Sequence, residues 1–497
     1  MRRKFVTNLV LIILLNLLIK PLWIFGIDVT VQNITGKEVF GMYGVLLNLS
    51  FLLNILLDLG ITNYNNRNIS QNHQLLRKYF ANIVVLKFLL AGVYAIIVFA
   101  VAGILRYDSH RFYILAFLVF NQFLTSFTLY LRSNIAGMQM HTVNSLVSVL
   151  DRSLMIIFCA VLIWGNFSQQ SFQIEWFVYA QTAAYAVTML ICFAIVLRKS
   201  RFPRFRYDRL FFMVVLRKSF PYALLVLLMS IYTRMDMVII DRLLHANGEA
   251  QVGIYIHGFR MFDAAYQFAL LFAVLLLPMF AKMISEKQRV NDLVRLSSLL
   301  LFIPSIALAI VCMFYREDLM FFMYYKDEVL MTPTLVSDLN ASASLFGVIM
   351  FAFLGMAGTI IYGTLLTANG SLKELNITSG FAVLINLVLN FILVPKYMAF
   401  GAAISALCTQ VFVGLSQYII VARKFKLGFD PGLIFKVVVY IAGVFALGLG
   451  STQIQADWFI RFVGVIAASV IFAMALNIID LRAMFKLIRN GEEAAKV

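Results

Sequence analysis

Charge is what this chain has least of. Only 13% of its residues are Asp, Glu, Lys or Arg, against 62% hydrophobic, whereas a soluble domain is about one quarter charged and half apolar. With 497 residues so composed, it lacks the polar surface to cover a core. A water-soluble globular fold is excluded, and much of the apolar surface must face lipid. Cysteine is also scarce. Cys159, Cys192, Cys312 and Cys408 all fall in apolar runs, without the spacing of a metal site or a disulfide frame. The five histidines are scattered, with no H-E-x-x-H or C-x-x-C cluster, so neither a metal nor a cofactor is expected. The start, MRRKFVTNLVLIILLNLLIK, has the basic head of an export signal but no small-residue cleavage site. It is expected to stay in place as the first membrane helix.

Long apolar runs are what the chain has in plenty. A membrane helix takes roughly 20 mainly apolar residues. Such windows lie near 5–27, 38–62, 81–105, 112–136, 143–164, 176–197, 219–243, 252–281, 293–315, 343–367, 377–394, 399–422, 433–450 and 458–480. The expected fold is an all-α polytopic membrane protein with about 14 transmembrane helices, because an open sheet cannot satisfy its edges in lipid. Basic residues favour one set of loops about threefold, which places both ends inside, N-in and C-in. The same rule accounts for the net charge of +17 without a nucleic-acid partner.

The chain repeats itself weakly. Gly36–Asn48 (GKEVFGMYGVLLN) is matched by Gly248–Arg260 (GEAQVGIYIHGFR), and Leu131–Met140 (LRSNIAGMQM) by Thr364–Lys373 (TLLTANGSLK). An even number of helices separates the copies, so they insert the same way round, as a parallel repeat. The expected division is a six-helix bundle over 1–197, a basic cytoplasmic linker over 198–218 and a second six-helix bundle over 219–425. Two extra helices and a cytoplasmic tail follow over 426–497. The linker, RKSRFPRFRYDRLFFMVVLRK, suits the surface of an anionic leaflet.

Ionisable residues inside membrane helices are costly and mark function by default. Lys87 and Lys436 lie near helix ends and can snorkel to the interface. Asp151 and Arg152 read as a neighbouring pair. Lys20, Arg234 and Arg260 stand deeper. The first two lie about 22 Å from the inner end of their helices, and Arg260 lies about 12 Å from the outer end. Asp236 follows Arg234 by two positions and so points elsewhere on the helix. Asp263 follows Arg260 by three, on the same face. Two readings stay open. The three cations pair across helices with Asp58, Asp236 or Asp263, or they line a basic cavity between the halves that awaits an anion, since a guanidinium fork suits phosphate. The acids are also candidates for H⁺ or Na⁺ coupling. Asn386, Asn390, Gln181 and Gln410 offer interhelical hydrogen bonds or glycan contacts. Pro21, Pro304 and Pro395 can kink or end their helices.

Two stretches carry a family resemblance. TRMDMVIIDRLLHANGEAQVGIYIHGFRMFD (Thr233–Asp263) pairs an Arg-x-Asp helix with a Val-Gly-x-Tyr helix start, and NLVLNFILVPKYMAFGAAISAL (Asn386–Leu407) carries Asn-x-x-Leu-Asn and Pro-Lys-Tyr-x-x-x-Gly-Ala-Ala. In these the chain resembles the polysaccharide exporter branch of the MOP superfamily, which also holds the multidrug exporters of the MATE type. The resemblance implies a flippase for undecaprenyl-pyrophosphate-linked oligosaccharide in a bacterial cytoplasmic (inner) membrane, working by alternating access, beside the glycosyltransferases and polymerase of its pathway. It implies headgroup-binding cations on the first and eighth helices, where Lys20 and Arg260 stand. It also implies a lipid-tail groove at the last two helices. The alternatives are a MATE-like cation antiporter, which calls for acids rather than cations in the cavity, and a membrane glycan polymerase or ligase.

Overall fold

The computed structural model describes residues 18–478 except 20, 63–64, 66–68, 70–74, 139, 166–171, 201–208, 327–331 and 429. Every regular element it describes is helical, as expected of backbone that must satisfy its own hydrogen bonds in lipid. Ten described helical runs are long and apolar enough to cross a membrane.

Among the described residues a π-helical stretch, Leu22–Asp28, directly follows Pro21 and continues as α1 (Val29–Thr35) and α2 (Lys37–Leu52). Then come α3 (Leu75–Ile104), α4 (Ser109–Gly137), α5 (His141–Trp164), α6 (Ile174–Ser200) and α7 (Arg209–Leu244). The second part holds α8 (Gly248–Ser285), α9 (Asn291–Phe314), α10 (Arg316–Met320), α11 (Pro333–Gly358), α12 (Thr364–Ala368), α13 (Leu372–Phe425), α14 (Pro431–Thr452) and α15 (Trp458–Ala475). These helices form two compact units, Met1–Arg242 and Leu243–Val497.

Local chemistry sets several boundaries. Thr332, Asp430 and Asp457 cap α11, α14 and α15 by accepting backbone N–H bonds from Leu335, Leu433 and Phe459. Proline follows the cap at Pro333 and Pro431, where its missing N–H costs nothing. Pro304 lies inside a continuous α9. α13 joins the windows 377–394 and 399–422. Three residues after Pro395, Met398 leaves helical geometry (φ 53°, ψ −137°). The chain doubles back there, so that a Cβ on Gly401 would lie 2.4 Å from the carbonyl oxygen of Leu393.

One window departs from expectation. The apolar run 38–62 is not one helix: α2 stops at Leu52, a 3₁₀ turn covers Asn54–Leu57, and Leu59 and Gly60 take positive φ (44° and 81°). The repeat holds locally. Gly36 and Gly248 both stand at helix starts, and the equivalent Tyr43 and Tyr255 are both buried. In the second unit α11 and α13 meet without side chains between them. A Cβ on Gly355 would lie 2.3 Å from the Gln410 carbonyl, and one on Gly414 would lie 2.7 Å from that of Gly355. Small residues of this kind let membrane helices approach closely.

Candidate functional site

In the first unit the break in α2 gathers polar side chains. Lys87 of α3 is 1% exposed, so it does not snorkel as its place in the sequence suggests. Its ammonium forms an ion pair with Asp58 and donates to the Leu57 carbonyl (3.0 Å) and the Ser126 hydroxyl (3.1 Å). The Asp58 carboxylate also accepts from the Thr62 hydroxyl and more loosely from its N–H (3.3 Å), and 26% of its side chain is exposed. One turn back, Asn54 donates to Gln122 (2.6 Å), and Tyr94 donates to the Ser50 carbonyl (2.7 Å). Backbone groups freed by the broken helix are thus taken up by side chains from α3 and α4, which makes irregular structure tolerable at this depth.

Arg234 of α7 lies beside this break. Its half-buried guanidinium sits 5.4 Å from the ring centroid of Phe51, in the last turn of α2, a cation–π contact. Asn48 of α2 donates to the sulfur of Met237, one turn on from Arg234. Asp236 is buried, on a different side of α7 from Arg234. Further along α7, Asp241 is 3% exposed and takes both guanidinium nitrogens of Arg111 at 3.1 and 3.2 Å, with Arg242 at 3.7 Å. The two arginines lie 5.1 and 4.6 Å from the ring of Tyr107. Burial and the Asp241 carboxylate raise the Tyr107 phenol above its ordinary range, although both arginines pull the other way.

Gln181 is engaged by Tyr43, to which its amide donates at 2.8 Å. Sequence reasoning missed Asp28 and Gln32 on the first helix, which are 3% and 2% exposed. The neighbours Asp151 and Arg152 do interact, through the Arg152 backbone N–H (2.8 Å) and through charge. The Arg152 guanidinium lies 5.7 Å from the Trp23 ring, within electrostatic reach of Tyr185, Asp151 and Asp28. The signal available was Asp28 itself, an acid in an apolar run. Lys20 lies outside the described residues.

In the second unit Arg260 and Asp263 of α8 are half-buried. Asn386 and Asn390, on the first arm of α13, are fully buried, and the Asn390 amide donates to the Asn386 carbonyl (2.9 Å). Gln410, on the second arm, is 4% exposed, with its backbone against Gly355. One turn before Arg260, His257 shares a hydrogen bond with Ser342 (2.9 Å) and stacks on Tyr324 at 3.9 Å. That histidine gave no signal in the sequence. Among the described residues no His, Cys, Asp and Glu cluster could hold a metal ion. Between α14 and α15 runs an apolar groove of about 920 Å³, open at Gly450 and Gly464, with Arg461 in its lining near the start of α15.

Solved structures share this fold. The lipid II flippase MurJ, in an inward closed conformation, is 14% identical, with a TM-score of 0.69 over 96% of this chain and 100% of that one. An inward-facing MATE family multidrug transporter of the MOP superfamily is also 14% identical, with a TM-score of 0.61 over 79% and 91%. A MOP superfamily transporter from Pyrococcus furiosus, described as having a binding pocket of reverse polarity, gives 0.56 at 14% identity over 84% and 94%. No curated protein sequence matches the chain. Residues 5–284, more than half of the sequence, match the family described as polysaccharide biosynthesis protein. The chain belongs to the polysaccharide biosynthesis protein family, built on the fold of the MOP superfamily exporters.

Proposed function

We propose that this protein flips an undecaprenyl-pyrophosphate-linked oligosaccharide across the bacterial cytoplasmic membrane by alternating access, for O-antigen, capsule or exopolysaccharide synthesis. The observation that carries the reading is Arg234. In a chain of this family, a half-buried guanidinium on α7 lies on the face of Phe51. A delocalised cation so placed suits a diphosphate, and its planar fork binds two oxygens at once. Lys20 and Arg260 are further candidates for headgroup contact, and Asn386, Asn390 and Gln410 for contact with the glycan or with neighbouring helices. The groove between α14 and α15 suits a long apolar tail. The ligand drives the cycle only through contacts that differ between conformations. Polymerase and glycosyltransferases of the same pathway are the expected partners.

The test uses the purified full chain in liposomes carrying labelled lipid-linked oligosaccharide, with headgroup protection as the readout. Wild type translocates the label and Arg234→Ala slows it strongly. Equal rates remove Arg234 from the site. Movement of small cations alone turns the reading to a MATE-like antiporter, and lengthening or transfer of glycan turns it to a polymerase or ligase.

A further inference from the structure

The break in α2 is built around a charge pair that the headgroup site does not use. The ammonium of Lys87 meets three oxygens, those of the Leu57 carbonyl, the Asp58 carboxylate and the Ser126 hydroxyl. The lysine is 1% exposed and Asp58 is 26% exposed. The cation is thus sealed while its counter-ion stays partly exposed. A purely structural clamp needs no such asymmetry, because a buried serine or asparagine satisfies a broken helix at lower cost than a charge.

We propose that Asp58, backed by Lys87, is the proton-binding site that couples a proton gradient to translocation. A proton taken up on one side of the membrane lands on the Asp58 carboxylate and leaves a neutral carboxyl, and it is given up on the other side when the carboxylate pairs with Lys87 again. The Lys87 ammonium then keeps a carbonyl and a hydroxyl but no carboxylate within ion-pair distance among the described residues. A buried ammonium so stripped is strongly unfavourable, so protonation drives the 53–60 turn to rearrange until water or another anion reaches the cation. That turn can move. It holds no α-helix, and Leu59 and Gly60 have positive φ. Phe51, in the last turn of α2 just before it, carries Arg234, so a shift of the break acts directly on the proposed headgroup cation.

The other titratable groups around the pair point elsewhere. From α3, Tyr94 donates to the Ser50 carbonyl, and from α4, Tyr130 donates to the Phe80 carbonyl (3.4 Å). Otherwise α4 offers the uncharged Gln122 and Ser126, and α7 brings Arg234 onto Phe51.

This inference rests on the translocation reading, and the experiment separates the two. Full-length protein in liposomes is given labelled lipid-linked oligosaccharide and a one-unit pH gradient, and the steady-state ratio of label between leaflets is read. One coupled proton sustains a ratio of up to about tenfold. Wild type should approach it. Asp58→Asn alone mimics the protonated carboxyl and should hold the turn in its rearranged state, so the deciding variant is Asp58→Asn with Lys87→Gln, which is neutral throughout. It should still move lipid but hold the ratio at one. A role confined to structure would change the rate and leave the ratio alone. If the double variant keeps the wild-type ratio, or if wild type moves lipid and forms a ratio only with a sodium gradient, the assignment of Asp58 falls and the translocation reading stands. If wild type moves no lipid, the translocation reading falls and takes this inference with it.

Discussion

Arg111 grips Asp241 with two parallel bonds of 3.1 and 3.2 Å, and so ties the first turn of α4 to the last turn of α7. The carboxylate is 3% exposed, so it relies on this partner. Arg111→Met should therefore destabilise the protein by about 3 kcal/mol, because it leaves a buried carboxylate with only the longer contact of Arg242, at 3.7 Å. Arg111→Met with Asp241→Asn should recover most of the loss. Thermal unfolding in detergent, followed by intrinsic fluorescence, decides it, and equal melting of the single and double variants would refute the tie.

The contact of α11 with α13 predicts a sharp contrast between glycines. A Cβ on Gly355 would lie 2.3 Å from backbone, whereas one on Gly380 meets nothing within 4 Å. Gly355→Leu should cost about 3 kcal/mol through overpacking. Gly380→Ala should be neutral or stabilise by up to about 1 kcal/mol, because alanine loses less backbone freedom in a helix. Melting temperature should fall well below wild type for Gly355→Leu and not for Gly380→Ala, and equal melting of the two would refute the close contact.

The start of α14 should be sensitive to acid. The N–H of Leu433 and then Arg295 hold the Asp430 carboxyl below the ordinary carboxylate range. A group with a lowered folded-state pKa stabilises the fold above its unfolded pKa and loses that contribution as pH falls through the folded value. Amide protection in the first turn of α14, corrected for intrinsic exchange, should thus drop below the usual carboxylate range. Asp430→Asn should remove that pH dependence, and an unchanged profile would count against the cap.

Arg234 should discriminate between charge and shape. Arg234→Lys keeps the cation but loses the fork, and should translocate about tenfold more slowly. Arg234→Ala should lose more than that. If lysine serves as well as arginine, the site reads charge alone.

Filling the groove of α14 and α15 should slow lipid movement without harming the fold. Side chains added at Gly450 and Gly464 meet open space, so Gly464→Leu should melt like wild type. Translocation of a long-tailed lipid should fall, and that of a short-tailed analogue should fall less.

The membrane helices were legible because apolar length is a one-dimensional signal. The windows from 81–105 onward fall within a few residues of α3 to α9 and α13 to α15. The break after Leu52 was not legible, since apart from Asn54 the run to Leu57 stays apolar and only Asp58 and Gly60 beyond it hint at a turn. Lys87 was misread for the same reason. Nearness to a helix end allows snorkelling, but the partner that buries this lysine comes from the previous helix, 29 residues away. The Arg-x-Asp helix was read correctly in part. Asp241 and Arg242 belong together near its end, while Phe51, the surface on which Arg234 rests, could not be inferred from spacing within one helix.

The reversal at Met398 bears on how this chain is made. Its two apolar arms are joined with almost no polar connection, and Lys396 is the only charge near the bend. Neither arm can be threaded alone, because the first would leave its tip without a loop long enough to wait in water. The polar faces of Asn386, Asn390 and Gln410 would also meet lipid until both arms are in place. Leu372–Phe425 must therefore enter the bilayer as a single insertion event, with both arms delivered together and their polar groups turned inward from the first moment.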